Sequence, residues 1–115
     1  MAASTSSVPR TLLVVSGGRE AVPAILEAQR MGLRVVVSDG APDAPGFRIA
    51  DAGILASTYD AEATVEAARA YATRGRIDGV LAVAADVPRT VAAVADALHL
   101  PGPSLATAEL AADKL

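Results

Sequence analysis

Two apolar runs restrict the fold more than any other feature. Thr11–Val15 reads TLLVV and Leu33–Ser38 reads LRVVVS. A strand with one wet face alternates apolar and polar residues. A run of Val and Leu without that alternation predicts a strand covered on both faces, as in a parallel sheet. The first run stops at Ser16-Gly17-Gly18 and the second at Asp39-Gly40. Between them Arg19–Met31 places apolar residues at Val22, Ile25, Leu26 and Ala28 and ends on Gly32, with Pro23 near its start. That is the pattern of a helix with an N-terminal Pro and a C-terminal Gly.

The same rhythm continues down the chain. A Pro- and Gly-rich stretch, APDAPGFRIAD, leaves room for one helical turn near Phe47–Ala50. Gly53–Ser57 predicts a third strand, and Ala61–Thr73 a helix capped by Asp60 or Thr58. Gly79–Ala84 predicts a fourth strand and Val87–Leu98 a helix. Thr107 opens a last helical stretch as its N-cap, and no Gly, Asn or Pro follows to end it. Strands alternating with helices give an α/β, Rossmann-like three-layer domain with a parallel sheet, and right-handed crossovers give the strand order 3-2-1-4. The carboxyl ends of the strands then share one crevice, bordered by Ser16–Glu20, Asp39–Gly46, Thr58–Asp60 and Ala84–Pro88.

The chain of 115 residues suits one domain over residues 11–106, and 52% apolar residues supply its core. Residues 1–10, MAASTSSVPR, read as a disordered lead-in without the apolar segment of a signal peptide. No run is long enough for a membrane span, so a cytoplasmic protein is expected. The net charge of -3, without a basic block or interleaved aromatics, argues against nucleic-acid binding. The absence of cysteine and the single histidine, His99, argue against thiol chemistry and a zinc site.

Several residues at the expected crevice admit two readings each. Gly17, Gly18, Arg19 and Glu20 join strand to helix, either as contacts for a phosphate or carboxylate or as a tight turn. Neither GxGxxG nor GxxxxGK[ST] is present. Asp39 ends the second strand, where an acid can take ribose hydroxyls or cap its own loop by an Asx turn. Asp86 either faces the crevice or caps the following helix. Arg48 is an anion contact or a solvated side chain, and His99 is explained by a helix end and burial. No nucleophile–base pair, triad or carboxylate cluster for Mg²⁺ is legible.

Three longer stretches carry a resemblance. VVVSDGAPDAPGFRIAD (35–51) is similar to the strand-Asp-loop "D…APA…AD" of ATP-grasp enzymes. DGVLAVAADVPRTVAAVADALHLPGPS (78–104) is similar to their fourth strand, helix and following segment, and ATAELAADKL (106–115) resembles the helix leading into the ATP-grasp domain. Over residues 11–115 the chain thus resembles the N-terminal, pre-ATP-grasp domain. Such domains occur in biotin carboxylase relatives, carbamoyl phosphate synthase large subunits and two purine-synthesis ligases. The loop SGGREAV departs from the "GxGxLG"-like loop of the purine ligases and leans towards the carbamoyl phosphate synthase-like members.

The resemblance implies that residues 107–115 begin the link to a further ATP-grasp domain in cis. It implies ATP and Mg²⁺ in the full-length enzyme, neither held tightly by this chain alone. A carboxylate is activated as an acyl phosphate and joined to an amine or similar nucleophile. Lys114, the only lysine, matches a basic residue that contacts nucleotide phosphates. Gly17, Gly18, Arg19 and Glu20 become acceptor-substrate contacts, and Asp39 and Asp86 at the crevice are taken as further substrate-binding positions. This chain alone is expected to be inactive as a ligase. A free-standing small-molecule or nucleotide-binding module and a structural or dimerising domain stay open as alternatives, as does a homodimer.

Overall fold

A computed structural model of the chain describes residues 9–83 and 87–100. Four strands, β1 (Thr11–Val15), β2 (Arg34–Asp39), β3 (Ala52–Leu55) and β4 (Gly79–Leu81), form one sheet in the order β3-β2-β1-β4. All three pairings are parallel, with Leu13 beside Val36 and Val80, and Ser38 beside Val15 and Ile54. The α/β, Rossmann-like architecture and the strand order are those expected from the sequence.

Helices α1 (Val22–Arg30), α2 (Gly46–Ile49), α3 (Ala61–Ala72) and α4 (Pro88–Ala97) cover the two faces. Leu13, Val15, Val36, Ile54 and Val80 point to the side of α3 and α4, where they meet Ala68, Val91 and Val94. Val14, Val35 and Val37 point to the side of Ala21, Ile25 and Ala28. Consecutive residues of β1 and β2 are therefore buried on opposite faces, which is why neither run alternates. Full burial of each such side chain stabilises the fold by roughly 1.5–3 kcal/mol.

The boundaries differ in detail from the sequence expectation. The helix expected from Arg19 begins as a 3-10 turn over Arg19–Ala21, and the α-helix starts only at Val22, beside Pro23. Pro has no N–H and a fixed φ, so it fits the first turn and marks where the α-helix opens. Leu26 is exposed, while Ile25 and Ala28 carry the buried face. β3 runs Ala52–Leu55 rather than Gly53–Ser57, and among the described residues β4 covers Gly79–Leu81.

Two aspartates placed immediately before strands stitch the sheet. Asp78 accepts the Thr11 N–H at 2.8 Å on its carboxylate and donates its own N–H to the Thr11 carbonyl at 2.8 Å. Asp51 does the same to Val35, with both bonds at 2.8 Å. Gln29 of α1 also reaches Asp51 at 3.2 Å and the Ile49 carbonyl at 2.8 Å.

Two helices end in the same motif with different residues. After α1, Gly32 (φ +89°) gives its N–H to Gln29, and Leu33 gives its N–H to Ala28. After α4, His99 (φ +57°) bonds to Asp96, and Leu100 bonds to Ala95. Both are Schellman ends, and the residue with positive φ is usually Gly. His99 is exposed, so burial does not account for it; its left-handed backbone at the helix end does.

His99→Gly should remove the left-handed penalty of about 1–2 kcal/mol at the cost of some chain entropy. Thermal unfolding is expected to show a net gain of about 0.5–1 kcal/mol. Burial pushes the Asp78 carboxyl up, but the Thr11 N–H with Arg76 and Arg10 outweighs it, so the group lies below its ordinary 3.8. A carboxyl with a depressed folded value stabilises the fold above the unfolded value and loses that contribution as pH falls through the folded one. Asp78→Asn should therefore cost about 1 kcal/mol at neutral pH. The gap to wild type should close as denaturation is repeated below pH 3.8.

Candidate functional site

The carboxyl end of the sheet is organised around one glycine. Ser16, at the end of β1, takes φ +82° and gives its N–H to the Ser38 carbonyl at 2.7 Å. A non-Gly residue with this φ is strained and needs its surroundings to hold it. Gly17 follows and is held at both peptide ends. Its N–H donates to Asp39 Oδ2 at 2.8 Å, and its carbonyl accepts the Gly46 N–H at 2.7 Å.

No side chain fits at these two glycines. A Cβ on Gly17 would stand 2.5 Å from Val37 Cγ1, and one on Gly46 would stand 2.9 Å from both Gly17 Cα and Gly17 O. The start of α2 thus sits backbone to backbone on the loop after β1. This contact was not visible in the sequence. Its one trace is a Gly after Pro45, inside a loop read only as Pro- and Gly-rich.

Asp39 spans the two loops. While Oδ2 takes Gly17, Oδ1 accepts the Ala41 N–H at 2.9 Å, which is the Asx turn that was one of its two readings. Gly18 precedes the 3-10 turn, and its carbonyl accepts the Ala21 N–H at 3.0 Å. Arg19 and Glu20 are exposed at the rim. Glu20 folds back, with Oε1 3.4 Å from where a Gly18 side chain would begin. The structure therefore brings Gly17, Gly18, Arg19, Glu20 and Asp39 together at one rim. Asp86 and Lys114 lie outside the described residues.

The neighbouring loop is fixed by hydroxyls. Asp60 caps α3 by accepting the Ala63 N–H at 3.0 Å, which decides between Asp60 and Thr58. Thr64 donates to the Ser57 carbonyl at 2.9 Å, and buried Thr90 of α4 donates to the Thr58 carbonyl at 2.8 Å. Both helices of that face are thereby tied to the loop after β3. Arg48 is exposed in the last turn of α2. A groove of about 640 Å³ between α3 and α4, lined by Asp60, Glu62, Glu66, Arg69 and Arg89, belongs to the helical layer rather than to the glycine loop.

Among the described residues no three His, Asp or Glu side chains converge to hold a metal ion. No helix among them is long and apolar enough to cross a membrane. The central carboxylate, Asp39, has each of its oxygens on a backbone amide.

No family model matches the chain. It is 31% identical over 83 residues to the formate-dependent phosphoribosylglycinamide formyltransferase of Synechococcus sp. (strain RCC307), covering 72% of this chain and 21% of that protein. The corresponding protein of strain CC9605 is 32% identical over 65 residues, 56% of this chain and 17% of its own length. Among solved structures, phosphoribosylglycinamide synthetase from Anaerococcus prevotii superposes with a TM-score of 0.81 at 19% identity, over 93% of this chain and 27% of that one. L-amino acid ligase from Bacillus licheniformis gives 0.69 at 23% identity, over 90% and 27%. N5-carboxyaminoimidazole ribonucleotide synthetase from Thermotoga maritima gives 0.66 at 23%, over 88% and 27%. The chain spans about a fifth of the curated relatives and about a quarter of these structures.

Gly46→Ala should force the two loops apart, because the atoms it meets are backbone. A loss of about 2 kcal/mol in denaturant unfolding is expected. The Gly17 amide resonance should move in the same variant.

Proposed function

We propose that this chain, which carries the fold of the N-terminal, pre-ATP-grasp domain of ATP-grasp superfamily ligases, is the acceptor-side domain of an ATP-dependent carboxylate–amine ligase. What supports the reading is the coincidence of that fold with a pre-shaped glycine loop at the carboxyl end of β1. In an open parallel α/β sheet the ligand crevice lies at the strand ends where the order reverses, here beside β1 and β4.

The division of labour follows from which groups this chain has. Among the described residues no three acidic or histidine side chains converge on a metal ion, and carboxylate activation is proposed to belong to an ATP-grasp domain in cis. Lys114 is the one residue of this chain proposed to reach nucleotide phosphates. The glycine loop supplies the rim against which the acceptor is held. Gly18, Arg19 and Glu20 are its proposed contacts, because Gly17 is engaged on both sides by its own fold. Asp86 is proposed to border the same crevice. Orientation of the acceptor's nucleophile is the contribution such a rim makes to rate. The lean towards carbamoyl phosphate synthase-like members gains no support from the relatives named above; the acceptor is proposed as a small amine or carboxylate without a closer subgroup. A cytoplasmic location accompanies this reading.

The test is a titration of the ¹⁵N-labelled chain with glycinamide, glycine and inorganic phosphate in turn. Movement of the Gly18, Arg19 and Glu20 amides with at least one probe is expected, together with no ATP hydrolysis by the pure chain. A loop that stays still with all three, or ATP turnover by the chain alone, removes the proposal.

A further inference from the structure

We infer that Asp39 is a positioning residue that holds the loop after β1 in its ligand-ready shape and does not itself touch the ligand. The inference rests on the acceptor-site reading above and assigns Asp39 a role different from direct contact.

The carboxylate has two acceptor atoms, and each is used by a different loop of the crevice. Oδ2 takes the Gly17 N–H at 2.8 Å, and Oδ1 takes the Ala41 N–H at 2.9 Å. A ribose or amine that approached Asp39 would meet two oxygens that each already hold a backbone amide, with one lone pair left on each. The partners are backbone groups, so they cannot swing away as a side chain could.

The consequence falls on the direction of the chain. With its N–H held by Asp39 and its carbonyl by Gly46, Gly17 cannot rotate either flanking peptide. Val37 Cγ1 would lie 2.5 Å from a Cβ at position 17, so no residue with a side chain can take this place in the loop. Ser16 is thereby kept at φ +82°, a conformation it would leave if released. Gly18, Arg19 and Glu20 then emerge in a fixed direction before any ligand arrives. A pre-ordered loop spares the ligand the entropy of ordering it, so affinity depends on Asp39 through the loop. Asparagine is the informative replacement: it keeps the shape but turns an NH₂ towards one of two N–H donors.

Three measurements test this. In Asp39→Asn, amide exchange at Gly17 and Gly46 should rise at least tenfold over wild type, with Val14 and Val36 unchanged. Asp43→Asn, in the same loop and without these bonds, should leave all four as they were. The probe that moves the Gly18–Glu20 amides should bind Asp39→Asn about tenfold more weakly. In the wild-type chain the Asp39 carboxyl ¹³C resonance should stay fixed while those amides move. That last measurement needs no variant and so survives a folding failure of Asp39→Asn. An Asp39 carboxyl that shifts with the ligand as far as the Gly18 amide overturns the inference, as does unchanged exchange at Gly17. If no probe moves the loop, the acceptor reading fails by itself, and the exchange comparison still decides whether Asp39 holds the loop.

Discussion

A parallel sheet leaves backbone amides over at the ends of its strands, and in this protein three aspartate carboxylates take them. Asp78 and Asp51 bond near the starts of β1 and β2, to Thr11, the first residue of β1, and Val35, the second of β2. Asp39 bonds at the opposite end, to Gly17. A buried or half-buried N–H without a partner costs about as much as a hydrogen bond is worth, so these contacts decide where each strand can begin and stop. The apolar packing of Leu13, Val14 and Val36 says that a sheet forms. The carboxylates set its ends, and hence the position of every loop at the crevice.

The fold was legible because the strongest signals in the sequence are local. TLLVV and VVVS lack alternation and lie on either side of a helix that a Gly closes, so order and layering follow from burial and handedness alone. Asp60 as a cap and Gly32 as a helix end were readable for the same reason, each acting within a few residues of itself. The 3-10 opening before Pro23 and the left-handed His99 were not. The first is a tightening of the helix start that no particular residue type marks, and the second is a left-handed angle that non-Gly residues rarely take, so His gave no sign of it.

The site was legible only in outline. Glycines after a first strand announce a close approach, but not of what. In this chain the approach is made by another piece of the same chain, Gly46, twenty-nine positions away in sequence order and therefore invisible to pattern reading. The two aspartates of the "D…APA…AD" stretch, Asp39 and Asp51, both turn out to accept backbone N–H groups. In this one of the three stretches that carried the resemblance to ATP-grasp enzymes, both aspartates thus serve the architecture. A motif can mark a family through how it folds, with its chemistry kept elsewhere.

The meeting of Gly17 and Gly46, main chain on main chain, makes the floor of the crevice one solid piece. Two loops joined at their Cα atoms cannot open independently to suit ligands of different outline. Under the proposed function, discrimination among acceptors then falls to side chains at the rim and not to movement of this floor.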